Sequence, residues 1–497
     1  MTMDTCDLLV IGGGINGAGI ARDAAGRGLA VTLVEQDDIA SATSGWSSKL
    51  VHGGLRYLEH YEFRLVREAL AEREVLLSIA PHLVRPLRVV LPHDAGMRPV
   101  WMVRIGLWLY DHLGKRVSLP GSMAVRFPHV EFSAGLKSDY RDGFVYADCR
   151  VDDARLTLAN ALSAKAKGAT ILTRTRFVGA KREGDAWIAE IENVRDGTRR
   201  TVKAKAIANV AGPWVADVLQ GLPAKRTGAR VRLVKGSHIV VPKVHSGGHA
   251  YILQNTDKRV VFVIPFEGEW SLIGTTDVPV DDVSRARDIT PEETRYLLAA
   301  ANRYLDKSLS EKDVVWSYAG VRPLYDDGKS DPSAITRDYV FELDGEAGAP
   351  PVLSVFGGKL TTYRCLAESA MAKLAPWFPG LKGSWTGGEA LPGGDIPHFN
   401  AFRDELHEAH KGFSRELLES LARRHGRGAA TILEGAKKPE DLGQAFGAGL
   451  TAREVDHFLA NEWAESAEDV LWRRTKCGLH LDAAQRAAVE AYVASKK

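Results

Sequence analysis

"TCDLLVIGGGINGAGIARDAAGRGLAVTLVEQ", residues 5 to 36, decides the fold. A short apolar run, "TCDLLVI", meets three glycines, passes into a small-residue stretch of helical character, and gives way after Gly26 and Gly28 to a second apolar run. That order predicts strand, glycine turn, helix and strand, a βαβ unit that belongs in a parallel sheet. Gly12, Gly14 and Gly17 satisfy G-x-G-x-x-G at the strand-to-helix turn, and Glu35 closes the second strand. Glycines there permit a tight turn and close backbone approach to a pyrophosphate, the helix N-terminus favours its charge, and the acid can take a ribose hydroxyl. The stretch therefore predicts an adenine dinucleotide site.

The fingerprint alone does not separate FAD from NAD. Distant glycine turns at Gly53-Gly54, Gly212 and Gly357-Gly358 are available to approach a long, permanently enclosed cofactor, and the chain carries no second complete fingerprint for a nicotinamide partner. Both observations favour a flavin that hands its electrons to something else.

Further along, residues 205 to 215 read as another parallel strand ending in Gly212-Pro213, at the sheet edge where α/β folds place ligands. Residues 230 to 280 change to short β-branched strands between Gly, Pro and Asp turns, which predicts an antiparallel sheet. Residues 350 to 374 return to strand, Gly-Gly turn and helix. A Gly- and Pro-dense linker (378–395) then leads into a helical end, where Thr451 and Glu454 have the spacing of a capping box and Gly478 that of a helix C-cap.

With 497 residues, 45% hydrophobic and 26% charged, the chain has the composition of a globular protein of two or three domains. A net charge of +2 does not call for a nucleic-acid surface. Cys6, Cys149, Cys365 and Cys477 are scattered without metal-ligand spacing, so neither a disulfide framework nor a zinc site is expected, which fits a reducing compartment. The N-terminus lacks the pattern of a secretory signal. Nothing approaches the roughly 20 apolar residues of a spanning helix. In residues 99 to 116, Trp101, Ile105, Trp108 and Leu109 recur at helical spacing among Arg98, Arg104, Lys115 and Arg116, which suits either an interfacial membrane helix or a buried amphipathic one.

The stretch "SSKLVHGGLRYLEHYEFRLVREALAEREVL" (47–76), with "RVDDARL", "GPWV", "KGSHIVVP", "FVIPF", "IGTTDV", "GVRPL", "ITRDY", "SVFGGKLTTYR" and "LWRRTKCGL" following in order, resembles the respiratory, FAD-dependent glycerol-3-phosphate dehydrogenase family over the whole chain. The resemblance implies an α/β + α architecture: a Rossmann-like FAD-binding domain (1–75, 150–215, 350–378), an inserted antiparallel-sheet substrate domain (76–149, 216–349), and a C-terminal helical domain (396–497). This is the D-amino-acid-oxidase-like, glutathione-reductase-type flavoprotein plan. It implies oxidation of sn-glycerol 3-phosphate to dihydroxyacetone phosphate by hydride transfer to flavin N5, with electrons passed to ubiquinone or menaquinone. A homodimer attached to the inner face of the cytoplasmic membrane is also implied. An oxidase using O2, a non-catalytic glycerophosphate-binding module and an amino-acid oxidase on the same fold remain as alternatives.

Mapped onto this chain, the family's catalytic residues are His238 as base, Arg322 to steady the developing alkoxide, and Lys359 beside the flavin; no metal is expected. Arg56, Tyr57, Thr275 and Arg337 are implied for the substrate phosphate, since a guanidinium fork suits phosphate. Cofactor contacts are implied at Gly12, Gly14, Ile15, Asn16, Gly17, Glu35, Gln36, Thr43, Ser44, Ser48, Lys49, Leu50, His52, Gly53 and Gly54. Phe177, Ala211, Gly212, Trp214, Gly357, Gly358, Lys359, Leu360 and Thr361 complete the set. Trp46 departs from the family pattern, which expects a small residue there.

Overall fold

The computed structural model describes residues 3–94, 96–128, 131–223, 231–257, 259–326, 338–346 and 348–496. Along the chain come β1 (Asp4–Ile11), α1 (Ile15–Gly26), β2 (Val31–Val34), β3 (Leu50–Val51), α2 (Phe63–Ile79), β4 (Val84–His93), α3 (Val100–His112), β5 (Asp142–Val151) and α4 (Asp153–Ala166). They are followed by β6 (Arg199–Asn209), β7 (Val231–Pro242), β8 (Trp270–Gly274), α5 (Pro291–Asn302), β9 (Trp316–Tyr325), β10 (Val352–Phe356) and α6 (Tyr363–Leu374).

The opening stretch forms the predicted unit: β1 lies parallel to both β2 and β6, and β6 is parallel to β10. Leu8, Leu9 and Val10 are wholly buried, as expected of strands covered on both faces. Alanines and glycines let α1 sit close against its neighbours: a Cβ at Gly19 would meet the Tyr363 ring of α6 at 2.7 Å. The expected strand at 205–215 lies six residues earlier, at Arg199–Asn209, because Gly212 to Trp214 form a helical turn.

A ten-stranded sheet forms the second layer. In it β7 is flanked on one side by β8 and Val278–Val280 and on the other by β9, all antiparallel. Beyond Ala250–Gln254, which runs parallel to β4, the sheet continues through β4, β5 and β3. Two short pairings cross the division drawn from sequence: β3 joins this second sheet, and Val340–Asp344 pairs with β10 in the first.

Helix α3 buries Leu107 and Tyr110 but leaves Trp101, Ile105 and Trp108 60, 52 and 59% exposed, so it is amphipathic with its apolar aromatic side outward. Among the described residues no helix is long and apolar enough to cross a membrane.

The C-terminal region is mostly helical, and two local expectations change there. Thr451 caps its helix, but Glu454 does not return the hydrogen bond. Its carboxylate is buried against Arg424 at 2.8 Å and His425 at 2.9 Å, an ion-pair demand stronger than a cap. The helix before Gly478 ends at Arg474, and Gly478 lies inside a separate turn, Cys477–Leu479.

Candidate active site

Two features converge on one seam between the sheets: the glycine turn after β1, and the central residues of β7. Gly12 has φ +112°, and a Cβ there would meet the Val210 carbonyl oxygen at 2.6 Å; at Gly17 it would meet the Gly12 carbonyl oxygen at 1.9 Å. Ile15 N–H donates to Ser44 Oγ at 2.9 Å, tying the start of α1 to the following loop. Glu35 accepts from the Gly13 N–H at 2.6 Å and the Asp37 N–H at 2.8 Å, while burial pushes its carboxyl up to about 7.

A cavity of about 540 Å³ opens from this turn. Gly12, Gly14, Glu35, Gln36, Thr43, Ser44, Phe177, Ala211, Gly212 and Trp214, all foreseen for the cofactor, line it. Its far wall is Trp46, Tyr318, Gly320 and Val321. A side-chain-free turn at a helix N-terminus, an acid set beside it and a cavity opening from that turn fit an adenine dinucleotide such as FAD. Trp46 occupies the wall: its indole N–H donates to the Ser41 carbonyl at 2.7 Å, and its ring lies 5.5 Å from Tyr318.

His238 sits at the centre of β7, opposite Gly274 of β8 and Tyr318 of β9. Its ring is buried, stacks on Tyr318 at 4.8 Å, and has Nε2 2.9 Å from Ser48 Oγ. Burial first, then Arg322 and Lys49, hold the imidazole well below its ordinary pKa, so it is neutral at pH 7 and can accept a proton. Arg322 of β9 donates to Asp277 Oδ1 at 2.8 Å and to Thr275 Oγ1 at 3.1 Å. Thr275, Arg322 and His238 are thus brought together.

Sequence reasoning missed two glycines that make this possible. A Cβ at Gly274 would lie 2.1 Å from His238 Cδ2, and one at Gly236 would lie 2.6 Å from both Arg322 Nη2 and Thr275 Oγ1. It also missed Glu293, which accepts from Ser237 Oγ at 2.8 Å and Thr276 Oγ1 at 3.1 Å and pairs with Lys235, tying the His238 strand to the segment after β8. The Thr290-Glu293 capping box that fixes this acid at the start of α5 was legible in "TPEE".

The segment after β3 carries the other foreseen residues. Gly53 N–H donates to Tyr110 Oη at 2.9 Å and Asp148 Oδ1 at 3.2 Å, so the buried side of α3 supports this turn directly. Both glycines are needed by the protein's own packing: a Cβ at Gly53 would strike Leu70 at 2.4 Å, and one at Gly54, where φ is +77°, would strike the Tyr57 ring at 2.1 Å. Lys359 Nζ stands 3.6 Å from the centre of that Tyr57 ring, which joins this segment to the Gly357-Gly358 turn. Arg56 lies on the same helical turn, Leu55–His60. Asn16 Nδ2 donates to the Gly357 carbonyl at 3.3 Å, and His52 N–H to Thr361 Oγ1 at 3.2 Å. Leu360 packs against the core beside them.

Lys49 points elsewhere. Its buried ammonium donates to Asp153 Oδ1 and Oδ2 at 2.9 Å and to the Gly45 carbonyl at 3.0 Å, so its side chain anchors the loop to α4. Arg337 lies outside the described residues. Among the described residues, His425, His457 and Glu462 bring possible metal ligands within 4.8 Å of one another, but they lie in the helical end, and Arg155 Nη1 already holds Glu462 at 2.5 Å.

Comparison with known proteins agrees with this geometry. Residues 7–364 match the family described as FAD dependent oxidoreductase, and residues 384–495 match the C-terminal domain of alpha-glycerophosphate oxidase. The chain is 53% identical to D-erythritol 1-phosphate dehydrogenase of Brucella abortus, over 98% of this chain and 97% of the relative. It is 50% identical to the aerobic glycerol-3-phosphate dehydrogenase of Escherichia coli, over 99% and 98% respectively. The solved structure of glycerol-3-phosphate dehydrogenase from Bacillus halodurans, complexed with FAD, superimposes with a TM-score of 0.75 at 27% identity, covering 99% of this chain and 94% of that one.

Proposed function

This chain belongs to the FAD dependent oxidoreductase family, in its glycerol-3-phosphate dehydrogenase branch, and from that premise we propose that it oxidises sn-glycerol 3-phosphate to dihydroxyacetone phosphate. FAD is the cofactor; when bound, it supplies the two-electron acceptor that takes the hydride from the substrate's C2 carbon. The observation that carries the reading is a buried, neutral His238 held beside Arg322, which bonds Thr275, and stacked on Tyr318, a wall residue of the dinucleotide cavity.

In this reading His238 takes the C2 hydroxyl proton at Nε2, the nitrogen that now faces Ser48 Oγ at hydrogen-bond distance. Arg322, held in place by Asp277, steadies the oxygen as negative charge develops on it. Arg56, Tyr57 and Arg337 receive the phosphate, with Thr275 adding a hydroxyl, and Lys359 places its charge beside the cofactor. Gly12, Gly14, Gly17 and Ser44 seat the pyrophosphate; Glu35 holds the ribose; and the Gly53-Gly54 and Gly357-Gly358 turns flank the ring system. The division into FAD-binding, substrate and helical domains is part of this proposal, with β3 and Val340–Asp344 crossing its sequence-drawn bounds.

Electrons leave for a membrane quinone, and the protein docks at the inner face of the cytoplasmic membrane, as a homodimer. The outward aromatic side of α3 supports the docking, because its buried side also hydrogen-bonds the Gly53 turn. Anaerobic bleaching of the flavin by glycerol 3-phosphate, followed by reoxidation with a short-chain quinone rather than stoichiometric peroxide formation in air, tests the reading.

A second reading has its own support: the 53% identical relative acts on D-erythritol 1-phosphate, one carbinol longer. Half-saturating concentrations for both phosphates, compared on one preparation, separate the two.

A further inference from the structure

A second cavity, about 830 Å³, lies between the second sheet and the C-terminal helices and falls in the size range of small-molecule sites. Its sheet wall holds Arg85 of β4 and Arg150 of β5, which are register partners across an antiparallel pair. Like charges placed directly opposite each other destabilise a sheet unless something compensates them. Neither guanidinium makes a hydrogen bond or ion pair with any described residue, and Arg85 Nε is fully buried with no acceptor. Arg423, in the last turn of the helix Arg415–His425, faces them; its Nε donates to Glu419 Oε1 at 2.9 Å. Lys243 also lines the cavity, and so do Glu267, Glu269 and Glu416; none is ion-paired to Arg85 or Arg150, and Glu267 offsets their repulsion only through its nearby charge. Burial pushes all three guanidinia down, Arg150 and Arg423 to about 10, with Arg85 next among the causes for both. They stay charged at pH 7.

We propose that Arg85, Arg150 and Arg423 form a binding site for a soluble phosphate-bearing anion, separate from the substrate pocket. Three guanidinium forks converging from two walls suit the several oxygens of a phosphate group. No residue of α3, the helix with the exposed aromatic side, lines this cavity, so the anion comes from solution rather than from a lipid headgroup. The cavity also reaches Lys49, the neighbour of Ser48, and Arg150 is paired with Leu50, so an occupant rests against the segment whose Ser48 hydroxyl meets His238.

The test uses full-length, FAD-loaded enzyme and titrates inorganic phosphate and pyrophosphate by calorimetry and thermal shift. Wild type and Arg56→Ala should both bind pyrophosphate, and Arg150→Gln and Arg423→Gln should weaken it at least tenfold. Without phosphate, Arg150→Gln should melt no lower than wild type, because a repulsion has been removed, and it should lose the phosphate-dependent rise in Tm. Binding that vanishes in Arg56→Ala but survives in both glutamine variants overturns the proposal. So does an Arg150→Gln protein that melts lower in phosphate-free buffer yet is still stabilised by phosphate as wild type is. Attachment to phosphatidylglycerol vesicles that Arg150→Gln abolishes also overturns it, in favour of a headgroup.

Discussion

Gly274→Ala is the sharpest perturbation of the site, because it adds one carbon and no charge. The new Cβ would lie 2.1 Å from His238 Cδ2 and 2.7 Å from Cγ. Carbon atoms settle at about 3.5 Å or more, so the imidazole must withdraw by roughly 1.4 Å. Tyr318, stacked on the ring at 4.8 Å from the neighbouring strand, limits its retreat, and Ser48 holds Nε2. Displacements of about 1 Å at a reacting group cost on the order of 10²-fold in rate, or about 2.7 kcal/mol of barrier. The overpacking itself should cost about 1–3 kcal/mol of stability. Stopped-flow anaerobic flavin reduction by glycerol 3-phosphate should therefore slow about 100-fold in a protein that keeps its FAD. Because the effect passes through His238, adding Gly274→Ala to His238→Ala should slow the reaction no further. A Gly274→Ala enzyme that reduces its flavin within threefold of wild type refutes the reasoning. So does a double variant whose losses multiply.

Other outcomes follow from the same geometry. Arg56→Ala should keep its flavin and raise KM for glycerol 3-phosphate by roughly 10- to 100-fold, the worth of a charge-assisted contact; flavin loss with unchanged KM contradicts the assignment. Burial holds His52 and His245 at about 4 and His82 and His249 at about 3, below the ordinary 6.5, and His238 moves the same way. Between pH 6.5 and 4 the unfolded chain binds protons that the folded chain does not, so unfolding free energy from urea titrations should fall as pH drops through that window. Glu35, held near 7, and the carboxyls of Asp23 and Glu68, which burial also raises, oppose this, and a flat profile would contradict the burial of these rings. Trp101→Glu with Trp108→Glu should release the protein from anionic liposomes and leave dye-linked turnover with glycerol 3-phosphate unchanged; liposome binding equal to wild type removes α3 from the docking surface.

What sequence made legible was whatever is encoded locally. The first βαβ unit needs no distant partner to specify it, because its glycines, strand spacing and closing acid all lie within residues 5 to 36. Of the residues that motif resemblance names for the cofactor, Gly12, Gly14, Glu35, Gln36, Thr43, Ser44, Phe177, Ala211, Gly212 and Trp214 line the cavity, and those from Ser48 to Gly54 do not. Local reading fails where a side chain answers to a partner far along the chain. Lys49 is implied as a cofactor contact, but its ammonium is taken up by Asp153. Gly53 and Gly54 read as clearance for a cofactor, and the packing of Leu70 and Tyr57 against their Cα atoms requires glycine as well. Gly236 and Gly274 look like ordinary strand glycines until β8 and β9 are laid beside β7, when each proves to be the seat of a polar side chain. A glycine inside a strand was a signal of close approach that could have been used.

On this proposal His238 and Arg322, behind the Tyr318 wall of the dinucleotide cavity, serve removal of hydrogen from C2 of glycerol 3-phosphate. The most direct test of that role is a single anaerobic turnover comparing ordinary and 2-deuterated glycerol 3-phosphate, monitored by flavin absorbance with the product quantified. The predicted result is one dihydroxyacetone phosphate per flavin reduced, bleaching slowed several-fold by deuterium, and loss of the fast phase in His238→Ala. A flavin that stays oxidised under saturating glycerol 3-phosphate, or that bleaches at the same rate in His238→Ala, contradicts it.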